Sequence, residues 1–315
     1  MKLTFAYDEI FKNILPNAVN THCPGVPYWE SSPSSYGGNF PDLASGDTHA
    51  FGAWWGLEPL EASQANVGRF MSKYGLPSFP ELKTVAMFLE PKDRDAHANE
   101  VLAHQHSSVG EAAIFNYIGH QFKKPKDFSA FLYLSQLLQA EAVKVAMEAH
   151  RIRKPYNMGS LVWHLNDSRP TASWSSIDYY GRWKALHYYI KRSFEEVIVT
   201  CDTSEAAMQV HVVSDVPEDI KSVLQIELLD FDGKVLLGEE KKIKVKHQAS
   251  EMVWTGATKE LLKNRKTGKC ISESGLCTTK RPMQKIRSYL CRTKRSTFKN
   301  RTSNMISWRK MGHAM

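Results

Sequence analysis

Gly159-Ser-Leu-Val-Trp-His-Leu-Asn166 is a mostly apolar run that opens into a polar, aromatic stretch from Asp167 to Tyr180. Its pattern predicts a buried strand whose C-terminal end carries the reactive side chains, the arrangement of the active face of a (β/α) barrel. Just upstream lies an amphipathic helix. Asp127 is its N-cap after Pro125, and Phe128, Phe131, Leu132, Leu138, Ala142, Val145 and Ala149 recur at near-helical spacing before Pro155. Residues 1–191 alternate such helices with short apolar strands, so this stretch is predicted to be an α/β domain.

Around Lys191 the pattern changes to alternation of period two: Glu196-Val-Ile-Val-Thr, Met208-Gln-Val-His-Val-Val and Leu224-Gln-Ile-Glu-Leu-Leu, then the turn Asp230-Phe-Asp-Gly233. Short alternating strands between turn signals predict an immunoglobulin-like β-sandwich over 192–269, truncated at that end. Beyond Lys269 the alternation stops, and residues 270–315 are expected to be a basic, unstructured tail.

The chain of 315 residues is 42% hydrophobic and 11% aromatic, a globular composition. Its net charge of +8 is uneven: residues 270–315 hold 11 basic residues and one acid, Glu273, leaving 30 basic against 32 acidic in 1–269. With synonymous codons chosen freely, a shifted reading frame over 270–315 can encode alternating, acid-containing strands, so the tail is read as a frameshift product and no nucleic-acid partner is expected. No apolar run reaches the roughly 18 residues of a membrane span, and Met1 to Phe11 is not a signal peptide, so no membrane partner is expected either.

Neither metal nor cofactor is expected. The five cysteines, Cys23, Cys201, Cys270, Cys277 and Cys291, form no C-x-x-C pair, and His104 and His106, two apart, point to different faces of a helix. Glu141 and Glu148 lie on the long helix and read as solvated.

Four segments bring aromatic and polar side chains together at strand ends. They are Pro27-Tyr-Trp-Glu-Ser-Ser-Pro-Ser34, Ser45-Gly-Asp-Thr-His-Ala-Phe-Gly-Ala-Trp-Trp-Gly56, Gly68-Arg-Phe-Met-Ser-Lys-Tyr-Gly-Leu-Pro-Ser-Phe-Pro80, and Leu161 to Pro170 continuing through Trp174 to Trp183. Tryptophan beside Asp, His and Asn suits a sugar, whose C–H face stacks on indole while its hydroxyls take polar partners. Asp47, His49, Trp54, Trp55, Tyr74, Asn166, Asp167 and Trp174 are therefore candidate substrate contacts. A non-catalytic platform built on Trp54, Trp55, Asp47, His49 and Asn166 is a second reading of the same residues.

In their order, these segments resemble the C-terminal half of the catalytic barrel of β-mannosidases in glycoside hydrolase family 2, from about Tyr7 to about Gly268. The resemblance implies the last four βα units of a (β/α)8 barrel, with strands near 26–32, 49–55, 69–74 and 159–166. It also implies β-mannoside substrates and a retaining mechanism with two carboxylates about 5 to 5.5 Å apart. In the family the nucleophile is the Glu of Phe-x-Ser-Glu-Tyr-Gly, and Lys73 stands there in this sequence. The family's acid/base is the Glu of an Asn-Glu pair at the fourth strand, which would precede everything present here. The one such pair, Asn99-Glu100, comes after Lys73 in a helical stretch and is excluded by chain order. Arg169 stands where relatives carry a Trp, and Phe51 where Trp is common. The resemblance thus implies a glycosidase scaffold without normal double displacement.

Overall fold

The computed structural model describes residues 2–33, 43–44, 46–105, 110–202, 207–230, 234–257, 270–277 and 282–288. Its first region holds a parallel sheet in the order β1 (Thr48–Ala50), β2 (Met71–Tyr74) and β3 (Ser160–Val162). Three helices frame it: α1 (Gly110–Gln121), α2 (Phe128–Ile152) and α3 (Ala185–Ser193).

Helix α2 forms where the periodicity predicts it. The Asp127 carboxylate accepts the Ala130 N–H at 2.7 Å, satisfying one of the free donors of the first turn. One face of α2 packs Ala140, Val143, Ala146 and Met147 on Met71 and Tyr74 of β2 and on Leu186 of α3. Another joins Phe131, Leu132, Leu138 and Ala142 to Ile114, Tyr117 and Ile118 of α1 and to Leu76, Phe79 and Val85. The middle strand is thereby fixed from one side along its whole length.

Three expectations for this region are corrected. Residues 26–32 form no strand, and Pro27 offers no ladder donor there. The stretch 49–55 is split into β1 and a short helix, Gly52–Trp55, and the last strand ends at Val162 rather than Asn166.

The second region is a sandwich of two antiparallel sheets, ordered β4 (Val197–Asp202), β5 (Ala207–Ser214), β8 (Ser250–Ala257) and β10 (Pro282–Ser288), β9 (Cys270–Cys277), β6 (Ile220–Asp230), β7 (Val235–Val245). Val197, Val199, Met208, Val210 and Val212 of one sheet meet Leu224, Ile226, Leu228 and Val245 of the other. Those positions are every second residue along each strand, as period-two patterning requires.

Strands β9 and β10 correct the unstructured tail. Cys270 to Cys277 pairs antiparallel with Val223 to Asp230, and Pro282 to Ser288 pairs with Ser272 to Cys277. Ladder hydrogen bonds to a preformed neighbour can order a segment whose own sequence has weak alternation. Residues 289–315 and the turn residues 231–233 lie outside the described residues.

The C-terminal end of α2 joins the two regions. Arg151 reaches Asp215 Oδ2 at 2.7 Å and donates to the Glu195 carbonyl at 2.8 Å, while Lys154 reaches Asp215 Oδ1 at 2.6 Å. Glu148, expected in solvent, is buried instead. It accepts hydrogen bonds from Thr200 of β4 at 2.6 Å and Ser193 at 3.4 Å, and burial raises its pKa above the ordinary carboxylate value. Both cations are nearly buried, with side-chain exposures of 8% and 14%, against 46% for Asp215. Asp215→Ala is therefore expected to cost about 1–3 kcal/mol, between the value of an exposed ion pair and that of a hydrogen bond to a charged group. Urea melts of the two proteins measure the difference.

Candidate functional site

The C-terminal ends of the three parallel strands converge on one cleft. Ala50 and Phe51 follow from β1, Lys73, Tyr74 and Gly75 from β2, and Trp163 from β3, with Trp54, Trp55 and Trp174 completing a lining of about 350 Å³. This is the face of a parallel α/β sheet at which ligands bind. Gly75 is needed there: a Cβ at this position would stand 2.3 Å from the Trp163 carbonyl and 3.3 Å from the Trp174 ring.

Lys73 is half-buried near the end of the middle strand, in register with His49 of β1. Its ammonium lies 4.1 Å from the centroid of the Trp163 ring and 5.7 Å from that of Phe51. A cation over indole is held by the ring quadrupole. Burial lowers the His49 pKa, the Lys73 charge lowers it further, and Asp47 opposes both. Trp54 is buried and packs edge-on against Trp174 at 4.8 Å, whereas Trp55 is 63% exposed at the mouth.

Asp47 sits beside this cleft as a positioning group. Its carboxylate accepts hydrogen bonds from Trp29 Nε1 at 3.3 Å, from Ser32 at 3.2 Å and from Ser72 at short range. Ser32 also pairs with His49 Nε2 at 3.0 Å. His49 faces a larger, mainly apolar hollow of about 710 Å³ that extends to Ala142, Ala146 and His150 of α2.

Asp167 is turned inward, away from the cleft. It accepts from Ser173 and Ser175 at 2.6 Å each and lies 3.4 Å from His164. Burial pushes its pKa up, but those hydrogen bonds and the Lys184 charge outweigh burial and hold it below the usual value. Lys184 is fully buried, donates to the carbonyls of Ser78 and Ser173 at 3.2 Å each, and is lowered by burial to about 7. Asp167 thus braces the loop that carries Trp174. Asn166 and Arg169 are exposed and do not line the cleft.

The structure therefore brings together Lys73, Tyr74, Trp54, Trp55 and Trp174 of the predicted contacts, with Asp47 and His49 alongside. Sequence reasoning missed Trp163, although an indole at the first position past a strand end was a usable signal. Among the described residues no group of three His, Cys, Asp or Glu is arranged to hold a metal; His106 lies outside them.

The comparisons bear on the whole of this arrangement. The β-D-mannosidase of Dictyoglomus thermophilum superposes with a TM-score of 0.81 at 28% identity, over 90% of this chain and 35% of that one. The chain is similar to β-mannosidases of glycoside hydrolase family 2. β-Mannosidase from Capra hircus is 29% identical over 252 residues, 74% of this chain and 27% of the relative. β-Mannosidase B from Aspergillus niger is 30% identical over 204 residues, covering 63% and 24%. The β-mannosidase-like chain thus spans about a quarter of the length of these relatives. The family described as a mannosidase Ig/CBM-like domain matches residues 206–294. That match continues past Lys269. An exo-chitosanase of Amycolatopsis orientalis, at 16% identity and a TM-score of 0.59, shares the fold alone.

Proposed function

We propose that the cleft is the sugar site of a retaining β-mannosidase scaffold in which Lys73 occupies the nucleophile's position, so that the chain binds terminal β-mannose without hydrolysing it. The observation that carries this reading is the ammonium of Lys73 at the end of the middle parallel strand, held against the Trp163 ring. On this reading β1, β2 and β3 belong to the second half of an eight-stranded barrel, and the sandwich begins near residue 192.

Double displacement requires a carboxylate to attack the anomeric carbon and then to stabilise an oxocarbenium-like transition state. An ammonium has no lone pair to offer, and its charge repels the positive charge that develops on the sugar ring. Even a neutral lysine would favour carbonyl carbons, giving Schiff bases rather than glycosyl intermediates. The binding half of the reading rests on the aromatic walls. Trp55 and Trp163, both partly open to solvent, offer flat apolar faces to the sugar ring.

Calorimetric titration of the intact chain with methyl β-D-mannoside tests this reading. Saturable binding is expected, and a folded sample, verified by circular dichroism, that gives only heat of dilution overturns it.

A further inference from the structure

We propose that the cleft prefers a sugar bearing a carboxylate, a hexuronide, with Lys73 as the anchor for that carboxylate. The proposal deepens the sugar-site reading above and rests on it.

The first support is charge. Lys73 is the one charged residue in the lining of the cleft, against six aromatic residues. It makes no ion pair among the described residues. The nearby Asp47 carboxylate is engaged by Trp29, Ser32 and Ser72, and His49 adds no negative charge. The ammonium has exchanged part of its water for ring faces, which attract it but cannot neutralise it. An anion entering here meets a cation that makes no ion pair among the described residues, in a partly desolvated setting where Coulomb attraction is stronger than in water.

The second support is size and valence. A cleft of about 350 Å³ lies at the small end of ligand pockets and suits a single sugar ring. One cation answers one negative charge, that of a carboxylate. A phosphate dianion would bring a second charge that no described lining residue meets. The aromatic walls supply the stacking surface that a bare carboxylic acid would leave unused. The substitution that removes the nucleophile therefore also changes which sugars the site should hold.

The test is a titration of the intact chain, followed by tryptophan fluorescence, with a matched pair that differs only at C6: methyl β-D-mannuronide and methyl β-D-mannoside. At low salt the mannuronide is expected to bind about 10-fold more tightly, the effect of one charge-assisted hydrogen bond. The ratio should shrink in high salt, fall to about 1 in Lys73→Met and persist in Lys73→Arg. Equal affinities in the unaltered chain, or a preference that survives Lys73→Met, overturn the anchor while leaving the sugar site standing. Binding of neither sugar removes the sugar site and the anchor together. Tighter binding of the mannoside 6-phosphate overturns the assignment to a carboxylate.

Discussion

Incubated with dinitrophenyl β-mannoside, the chain is expected to leave the substrate intact, whereas Lys73→Glu is expected to give a stoichiometric burst of dinitrophenolate. The difference follows from the atom placed at the end of β2. With a carboxylate there, an oxygen lone pair forms the bond to the anomeric carbon as the carbon–oxygen bond to the leaving group breaks. That electron pair departs on the phenolate, whose acidity makes protonation unnecessary, so the test does not depend on a general acid. The glycosyl ester then accumulates, because its hydrolysis needs a base to activate water. The Lys73 ammonium can perform none of these steps. Loss of such charge stabilisation costs about 10²–10³ in rate, and loss of the attacking atom adds to it, so the burst should exceed release by the unaltered chain by at least about 10³-fold. Stopped-flow absorbance and mass spectrometry of the ester measure both halves of the prediction. An equal burst from the unaltered chain would falsify the reading, as would a silent Lys73→Glu protein that still binds methyl β-D-mannoside.

The second large effect is on stability. Asp167→Ala is expected to lower the unfolding free energy by about 1–3 kcal/mol, the cost of leaving buried hydrogen-bond donors without their acceptor. Lys184, fully buried, would lose one of the two carboxylates that favour its charge and keep the other, Asp178. Ser173 and Ser175 lose their acceptor as well. The double variant Asp167→Ala/Lys184→Met should recover part of the loss, because it also removes the buried cation that the lost carboxylate favoured. Denaturant midpoints across the cycle give the coupling, and a double variant no more stable than Asp167→Ala would contradict the pairing.

The same lysine sets a pH dependence. With a folded pKa lowered to about 7 from 10.5, the unfolded chain holds the Lys184 proton more tightly across that interval. Stability from this group therefore rises with pH above about 7 and levels off near 10.5. Lys184→Met should flatten that slope. Asp167 acts in the opposite window, since its lowered pKa supplies stability that is lost as the medium becomes strongly acidic.

Much of the fold was legible because it depended on periodicity. The face of α2 that meets β2 and the alternating valines of β4 and β5 can be read directly from residue spacing. Lys73 was legible for a different reason, since it lies near the end of a short strand and is flanked by residues of a recognisable motif. What was not legible depended on partners distant in sequence. Glu148 looks like any exposed helical acid until Thr200 of β4 is packed over it. Asp167 looks like a loop residue for a sugar until Ser173 and Ser175 fold back onto it. Strand β9 has weak alternation of its own and gains its order from the β6 ladder. Trp54 and Trp55 are adjacent and chemically identical, yet one is core and the other open to solvent, because the short helix Gly52–Trp55 turns them to different sides.

The clamp on Asp215 bears on any attempt to dissect the protein. A cut ahead of β4 would follow the change in topology, yet it would strip Thr200 from Glu148 and Asp215 from Arg151 and Lys154. The severed first piece would leave Arg151 and Lys154 without their shared counter-ion, beside a carboxylate newly opened to water. The two regions are separate in architecture but share these contacts, and proteins prepared for crystallography or display should keep them together.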